Sequence, residues 1–158
     1  MKRSITSLLA CLPQLFLCSA CAAPPQAEKP AIQLQSLSYD EALQAYHSAG
    51  RDENYRCIHQ AADNHYKTSA DAKAVAIVID DVLYLKLNGR LLELAQTEIS
   101  EKAACYTNSG AQIEAGYLIV KQFNFSEYNE SDDRNVELWV NTPDGTQHVK
   151  IFGNRCGV

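Results

Sequence analysis

The feature that most constrains the fold is the pair Asn88-Gly89, which lies between two segments of alternating apolar residues. Asn-Gly favours a type I′ turn, because both residues tolerate the left-handed backbone that this turn requires. A two-residue turn fixes the register of the flanking strands and gathers four leucines on one face. The sequence therefore predicts a β-hairpin, with Leu83 opposite Leu94, Leu85 opposite Leu92 and, on the other face, Tyr84 opposite Glu93.

Segments with the β-branched or alternating pattern of strands recur along the chain. Turn residues separate them, among them Asn108-Ser109-Gly110 and Pro143-Asp144-Gly145. Short strands joined by closely spaced turns favour an antiparallel meander. We therefore predict a mainly β domain over 37–158, folded as a small antiparallel β-barrel or sandwich. The predicted strands are 74–79, 82–87, 90–94, 103–107, 113–123, 136–140 and 147–152.

One short helix is predicted before the strands. Residues 38–41, Ser-Tyr-Asp-Glu, have the spacing of a capping box, and Gly50 is a typical stop. Tyr39, Leu43 and Tyr46 share one face at helical spacing. We expect this face to pack on the β domain; binding of a partner is the alternative.

The N-terminus has the three parts of a secretory signal peptide. Lys2 and Arg3 are followed by a mostly apolar stretch over 5–17 and by small residues at 19–22. Polar residues and Pro13 interrupt the stretch, which is shorter than the roughly 20 apolar residues of a membrane-spanning helix. The sequence predicts a signal peptide over 1–20, and therefore export.

Two kinds of cleavage fit this region. Cys18-Ser19-Ala20-Cys21 resembles the lipobox of bacterial lipoproteins, in which Cys21 would carry the lipid. Leu8-Leu9-Ala10-Cys11 also resembles a lipobox, but only a short apolar run precedes it. Ala22 after the lipidated cysteine implies anchoring to the outer membrane, with residues 21–36 as a proline-containing tether. Ala20-Cys21-Ala22 also suits ordinary signal peptidase, which would release a periplasmic protein.

The charge indicates which partners suit the chain. The 158 residues carry a formal net charge of −5. Removing residues 1–20 deletes Lys2 and Arg3 and no acids, which takes the net charge to −7. A nucleic-acid partner is disfavoured, because phosphate binding needs a basic face. A basic protein is the partner that this field would attract.

Three cysteines, Cys57, Cys105 and Cys156, remain in the predicted domain. In an oxidising compartment they are not expected to stay free together. One disulfide and one buried thiol is the simplest arrangement, and intermolecular pairing is the alternative.

Few residues indicate chemistry. His59, Asp63 and His65 could begin a metal site, but structural zinc sites have four ligands and no fourth is evident. We interpret these histidines as solvated residues beside a strand, and predict no metal and no cofactor. The sequence also lacks a nucleophile with a base and an orienting group, so we predict that the protein is not an enzyme.

An acidic segment over 126–133 has two interpretations. It could be a solvated surface loop, because runs of like charge repel one another. Alternatively it could be a docking site for a basic protein, with Tyr128 as an aromatic anchor. Its acids are Glu127, Glu130, Asp132 and Asp133.

Several segments together resemble the small lipoproteins of Gram-negative bacteria that inhibit C-type lysozymes. Tyr55-Arg56-Cys57 is similar to an early Tyr-x-Cys of that family, whose cysteine pairs with one near the C-terminus. The resemblance implies a β-barrel and a Cys57–Cys156 disulfide, which leaves Cys105 reduced and buried. The hairpin over 85–94 and the segment 104–110 are similar to consecutive segments of the family.

The family contacts lysozyme through a serine–glycine pair and a Trp-x-Lys-Gly segment. Lys102-Ala103 stand in place of the first, and Lys121 is what matches the second. The resemblance implies a non-catalytic envelope lipoprotein that binds a basic protein such as a lysozyme-like hydrolase. A structural or assembly lipoprotein of the outer membrane without inhibitory activity is the alternative.

Overall fold

The computed structural model describes residues 32–61, 73–128 and 130–157. The predicted signal peptide, Cys21, most of the predicted tether, Asp63 and His65 lie outside these residues. Within them the chain forms one helix and nine strands. In order they are β1 (Leu34–Gln35), α1 (Tyr39–Ser48), β2 (Arg56–Ala61), β3 (Ala74–Ile79), β4 (Val82–Leu87), β5 (Arg90–Ile99), β6 (Ala103–Asn108), β7 (Ile113–Ser126), β8 (Ser131–Thr142) and β9 (Gly145–Gly157).

Strands β2 to β9 form a closed antiparallel barrel of eight strands. Each strand pairs with the next along the chain, and β9 pairs back with β2 to close the barrel. The predicted antiparallel meander is therefore confirmed, and it closes as a barrel. Within the described part of the chain, no helix is both long and apolar enough to cross a membrane.

The hairpin at Asn88-Gly89 has the predicted register. Both turn residues have positive φ, 49° at Asn88 and 80° at Gly89, as a type I′ turn requires. Leu83, Leu85 and their partners on β5 point into the barrel, where they are buried. Tyr84 and Glu93 face outwards together, and the Tyr84 hydroxyl donates to Glu93 Oε2 over 3.3 Å.

Helix α1 packs on the outside of the barrel. Ser38 caps its N-terminus, where Ser38 Oγ accepts from the Glu41 backbone N–H. Tyr46 is buried against the outward faces of β3 and β4, and Tyr39 and Leu43 pack beside it. The prediction that this face packs on the domain is confirmed.

The barrel interior is filled mainly by aliphatic side chains from the alternating positions of its strands. On the outer face, the Trp139 indole lies against the backbone of Gly116, its opposite residue on β7. A Cβ atom at Gly116 would overlap the indole ring. Gly116 is therefore required for this close approach.

The N-terminal segment joins the barrel at the end that carries the hairpin turn. Leu34 pairs with Leu87 on β4, and the Gln33 backbone N–H donates to Asn88 Oδ1. The predicted tether over 21–36 is thus wrong at its end, where Leu34–Gln35 belong to the sheet. The physical reason is that the pairing of β3 with β4 ends at Ala76 opposite Leu85, which leaves Lys86 and Leu87 free to pair with β1.

The last three strands are longer than their apolar patterns predict. Strand β7 runs to Ser126 and β8 begins at Ser131, so the predicted acidic loop over 126–133 shrinks to a turn. Irregular pairings after Ile119 on β7, and on β9 opposite Asp132 and Arg134, interrupt the alternation of those two strands. Because a β-bulge shifts the side-chain pattern by one residue, the strands continue beyond the point at which simple alternation ends.

Candidate functional site

The candidate site lies at one end of the barrel, which we call the open end. It is formed by the turns at 80–81 and 100–102, the turn after Ser126, the start of β2 and the end of β9. Cavities of about 540 Å³ and 330 Å³ lie here. Tyr55, Gln122 and Arg134 line both cavities, so the two are adjacent.

A buried ion pair forms the polar floor of the open end. Arg134 and Asp132 contact each other through Nη2 and Oδ1, and their side chains are 12% and 6% exposed. Asp132 also accepts from the Gln122 amide over 2.8 Å. Both side chains point inwards because positions 132 and 134 continue the alternation of β8, whose Val136, Leu138 and Val140 also face the interior.

Two tyrosine hydroxyls contact Nη1 of Arg134, whereas Asp132 contacts Nη2. Arg134 Nη1 donates to Tyr55 Oη over 3.1 Å and lies 3.4 Å from Tyr117 Oη. Burial raises the pKa of both tyrosines, although the positive charge of Arg134 opposes this rise. The hydroxyls therefore remain protonated at neutral pH and act as hydrogen-bonding groups.

His59 lies beneath this floor and is fully buried. Its Nε2 lies 3.1 Å from Tyr117 Oη and 3.2 Å from Cys57 Sγ. Burial lowers the pKa of His59 to about 3, and the charge of Arg134 contributes to this decrease. The interpretation of His59 as a solvated residue is therefore wrong: it faces inwards from β2 and stays neutral.

The disulfide lies in the same interior region. Cys57 on β2 is bonded to Cys156 on β9, as the resemblance implies. A Cβ atom at Gly153 would lie 2.8 Å from Cys156 Sγ and 2.9 Å from Cys57 Sγ. Gly153 thus leaves room for the bridge.

Cys105 is a free thiol, as expected, but it is only half-buried. Its neighbours Ala104 and Tyr106 point into the barrel, so the alternation of β6 directs Cys105 outwards. The expectation that this thiol is buried is therefore wrong.

The walls of the open end are mainly acidic, although Lys102 in the turn at 100–102 is an exposed positive charge. Among the described residues that line the two cavities, six carry carboxylates and Arg134 alone carries a positive charge. Asp80 and Asp132 are engaged in hydrogen bonds within the protein. The other four, all exposed, are Asp81, Glu101, Glu127 and Glu130.

Large apolar and aromatic side chains are exposed at the same end. Ile99 and Phe125 line the cavities and are 73% and 70% exposed. Tyr128, in the turn after Ser126, is 96% exposed. Exposed aromatic groups beside a cavity are typical of protein-binding surfaces.

The residues predicted to bind a partner fall into three groups. Glu127, Tyr128 and Glu130 lie exposed in one turn of the open end. Asp132 does not face solvent, because it is buried with Arg134. Asp133 is half-buried and accepts from the Asn124 amide, and Lys121 lies on the outer surface of β7 with Nζ 5.6 Å from the centre of the Phe123 ring.

The floor of the site is not predicted by the sequence. Arg134, Tyr55 and Tyr117 come from different parts of the chain, and nothing in their spacing brings them together. The one available signal was an arginine two residues after an aspartate at the start of a strand, which is also common on exposed surfaces. In comparisons with known proteins, no family model, curated protein or solved structure matches the chain.

Proposed function

We propose that this protein is a non-catalytic binding module of the bacterial envelope, which holds a basic protein at the open end of its barrel. The observation that carries the proposal is the charge of the two adjacent cavities, whose described lining residues include six carboxylates and one guanidinium. A positively charged surface is the complement of such an end.

Electrostatic attraction would act first, during approach. Asp81, Glu101, Glu127 and Glu130 are exposed at the open end, and the predicted mature chain carries a net charge of −7. Charges of one sign around a cleft raise the association rate of an oppositely charged partner. The effect falls with ionic strength, because the screening length is about 8 Å at physiological salt.

Apolar contacts would then hold the partner. Ile99, Phe125 and Tyr128 provide exposed surface at the open end, and burying apolar area releases about 25 cal/mol per Å². Aromatic side chains are common at the energetic centres of interfaces. The partner would therefore offer both basic residues and an apolar contact surface.

The floor keeps the site rigid. Arg134 is held by Asp132, Tyr55 and Tyr117, and these groups come from β8, from the residue before β2 and from β7. A site that is ordered before binding loses less entropy when the partner arrives. This supports a binding surface that is already formed in the free protein.

A C-type lysozyme is the partner that the proposal names, since such lysozymes are basic and the sequence resembles their inhibitors. The test is a titration of lysozyme activity with the purified mature protein at low and at physiological salt. We expect inhibition that weakens as salt rises. Succinylated lysozyme, whose lysines carry negative charges, is the control and should not bind.

Absence of inhibition and of binding at micromolar excess at both salt concentrations would contradict the lysozyme proposal. It would favour the structural or assembly lipoprotein without inhibitory activity.

The proposal includes attachment to the outer membrane through lipid on Cys21. Cells grown with labelled palmitate should label the native protein and not the Cys21→Ser variant. Cys11→Ser is the matched control and should keep its label. Equal labelling of the native protein and Cys21→Ser would contradict attachment at Cys21.

A further inference from the structure

Three metal-binding side chains lie together inside the barrel, below the open end. Cys57, His59 and Cys156 are all buried, and their donor atoms lie within 4.8 Å of one another. Cys57 Sγ lies 3.2 Å from His59 Nε2. A fourth polar atom, Tyr117 Oη, lies 3.1 Å from the same nitrogen.

We propose that the reduced form of this protein binds one Zn²⁺ ion, or a thiophilic ion like it, through the thiolates of Cys57 and Cys156 and the imidazole of His59. Two thiolates and an imidazole are donors that zinc prefers. Three protein ligands leave a fourth position for Tyr117 Oη or a water molecule.

The geometry needs little rearrangement. Bonds of about 2.3 Å to sulfur and 2.0–2.1 Å to nitrogen place tetrahedral ligand atoms roughly 3.5 Å apart. The His59 nitrogen and the Cys57 sulfur already lie near that separation, at 3.2 Å. The two sulfurs must move apart after their bond is broken, and Cys156 Sγ already lies within 4.8 Å of the other two donor atoms.

Reduction must come first, and a dithiol is the reductant. It transfers two electrons and two protons to the Cys57–Cys156 bond, leaving two thiols, and itself becomes a disulfide. Zn²⁺ then displaces both thiol protons to solvent. The bound unit of two thiolates and one divalent cation is neutral, so a buried site gains no net charge.

The surroundings favour the metal-binding forms of the ligands. A Cβ atom at Gly153 would lie 3.0 Å from Arg134 Cγ and as near to both sulfurs, so the arginine side chain packs beside them. A neighbouring positive charge favours thiolate over thiol.

The smaller cavity at the open end reaches one edge of the ligand set. Cys156 and Gly157 line the smaller cavity, together with Arg134. An ion entering there meets Cys156 before the rest of the ligand set. The same two strands, β2 and β9, would then be joined by the metal instead of the disulfide.

The experiment uses the purified mature protein, reduced with a phosphine that is removed by anaerobic gel filtration. Co²⁺ serves as the spectroscopic probe and Zn²⁺ as its competitor. We expect a sulfur-to-cobalt charge-transfer band that saturates at one equivalent and disappears when Zn²⁺ is added. Cys57→Ser and Cys156→Ser should lose the band, His59→Gln should weaken binding, and Cys105→Ser should behave like the native protein.

A second measurement on the native sequence does not depend on whether the variants fold. Zn²⁺ should protect Cys57 and Cys156 of the reduced protein from alkylation, while Cys105 reacts as before. The proposal is overturned if no band or protection appears, if the oxidised protein binds equally, or if Cys57→Ser keeps the band. It is also overturned if the reduced chain unfolds and Zn²⁺ does not restore its far-ultraviolet β signal.

Discussion

Cys57 and Cys156 bridge the two strands at which the barrel closes. Their residues are 99 positions apart in the chain, and every other barrel strand lies between them. The covalent bond therefore ties the first barrel strand to the last. Pairing of β2 with β9 is the most non-local contact of the meander, and such contacts have the largest entropic cost of closure.

Removing this bond should lower the free energy of unfolding strongly. For a closed loop of about 100 residues the chain-entropy relation gives about 4–5 kcal/mol. Urea denaturation of the Cys57→Ser/Cys156→Ser double variant should show this loss. Cys105→Ser removes a half-buried thiol that bridges nothing, and it should stay within about 1 kcal/mol of the native protein. Equal midpoints for the double variant and the native protein would contradict a stabilising bridge.

Acidification should destabilise the protein through His59. In the folded state its pKa is about 3, against about 6.5 in the unfolded chain, so the unfolded chain binds the proton first as pH falls. Stability is therefore complete above about pH 6.5 and decreases down to about pH 3. Between pH 7 and pH 5 the native protein should lose about 2 kcal/mol through this residue.

The measurement is urea denaturation at both pH values. His59→Gln should lose correspondingly less stability on acidification. His148→Gln, which removes an exposed histidine, should follow the native pH dependence. The same pH dependence in His59→Gln and the native protein would show that His59 is not the group responsible.

Gly116→Ala should displace the single tryptophan of the chain. The added Cβ would overlap the Trp139 indole, so the ring must turn towards solvent or the strands must separate. Overpacking of this kind costs about 1–3 kcal/mol. We expect a red shift of tryptophan fluorescence and a lower thermal midpoint. Gly110→Ala is the control, because its Cβ would lie 3.6 Å from Asn108 Oδ1, an ordinary contact. An unshifted spectrum would contradict the close packing.

Charge changes at the open end should alter the association rate with lysozyme. Glu127→Gln should slow association and reduce its salt dependence, while Lys102→Glu, at the turn of β5 and β6, should accelerate it. Glu114→Gln removes one exposed carboxylate near the opposite end and should have a smaller effect. Stopped-flow measurements at several salt concentrations compare them. Equal effects of Glu127→Gln and Glu114→Gln would assign the attraction to net charge alone.

The sequence predicts an element correctly where the turn or capping residues and the pattern of apolar residues indicate the same structure. Asn88-Gly89 specifies one turn type, and the leucines beside it match the resulting register, so the hairpin could be predicted residue by residue. Ser38 and Glu41 likewise specify the start of α1. Both cases rest on contacts between residues close in the chain.

The floor of the site could not be predicted in this way. Asp132 belongs to an acidic run that resembles a surface loop, and it faces inwards beside Arg134 only because β8 begins at Ser131 and keeps its alternation from there. Tyr55 lies 79 positions before Arg134, and their contact depends on closure of the whole barrel. Periodicity along a strand carries no information about such contacts.

The pairing of the N-terminal segment determines the end of the barrel at which the predicted tether begins. Gln33 bonds to the hairpin turn at Asn88, at the end opposite to the cavities. In a chain anchored at Cys21, the tether would therefore leave the barrel at the end opposite to the cavity carboxylates. The segment from Cys21 to Ile32 has a contour length of at most about 40 Å, because an extended chain advances about 3.6 Å per residue. The lipid anchor would thus keep the hairpin end of the barrel within about 40 Å of the lipid headgroups, and the tether would not cover the acidic open end.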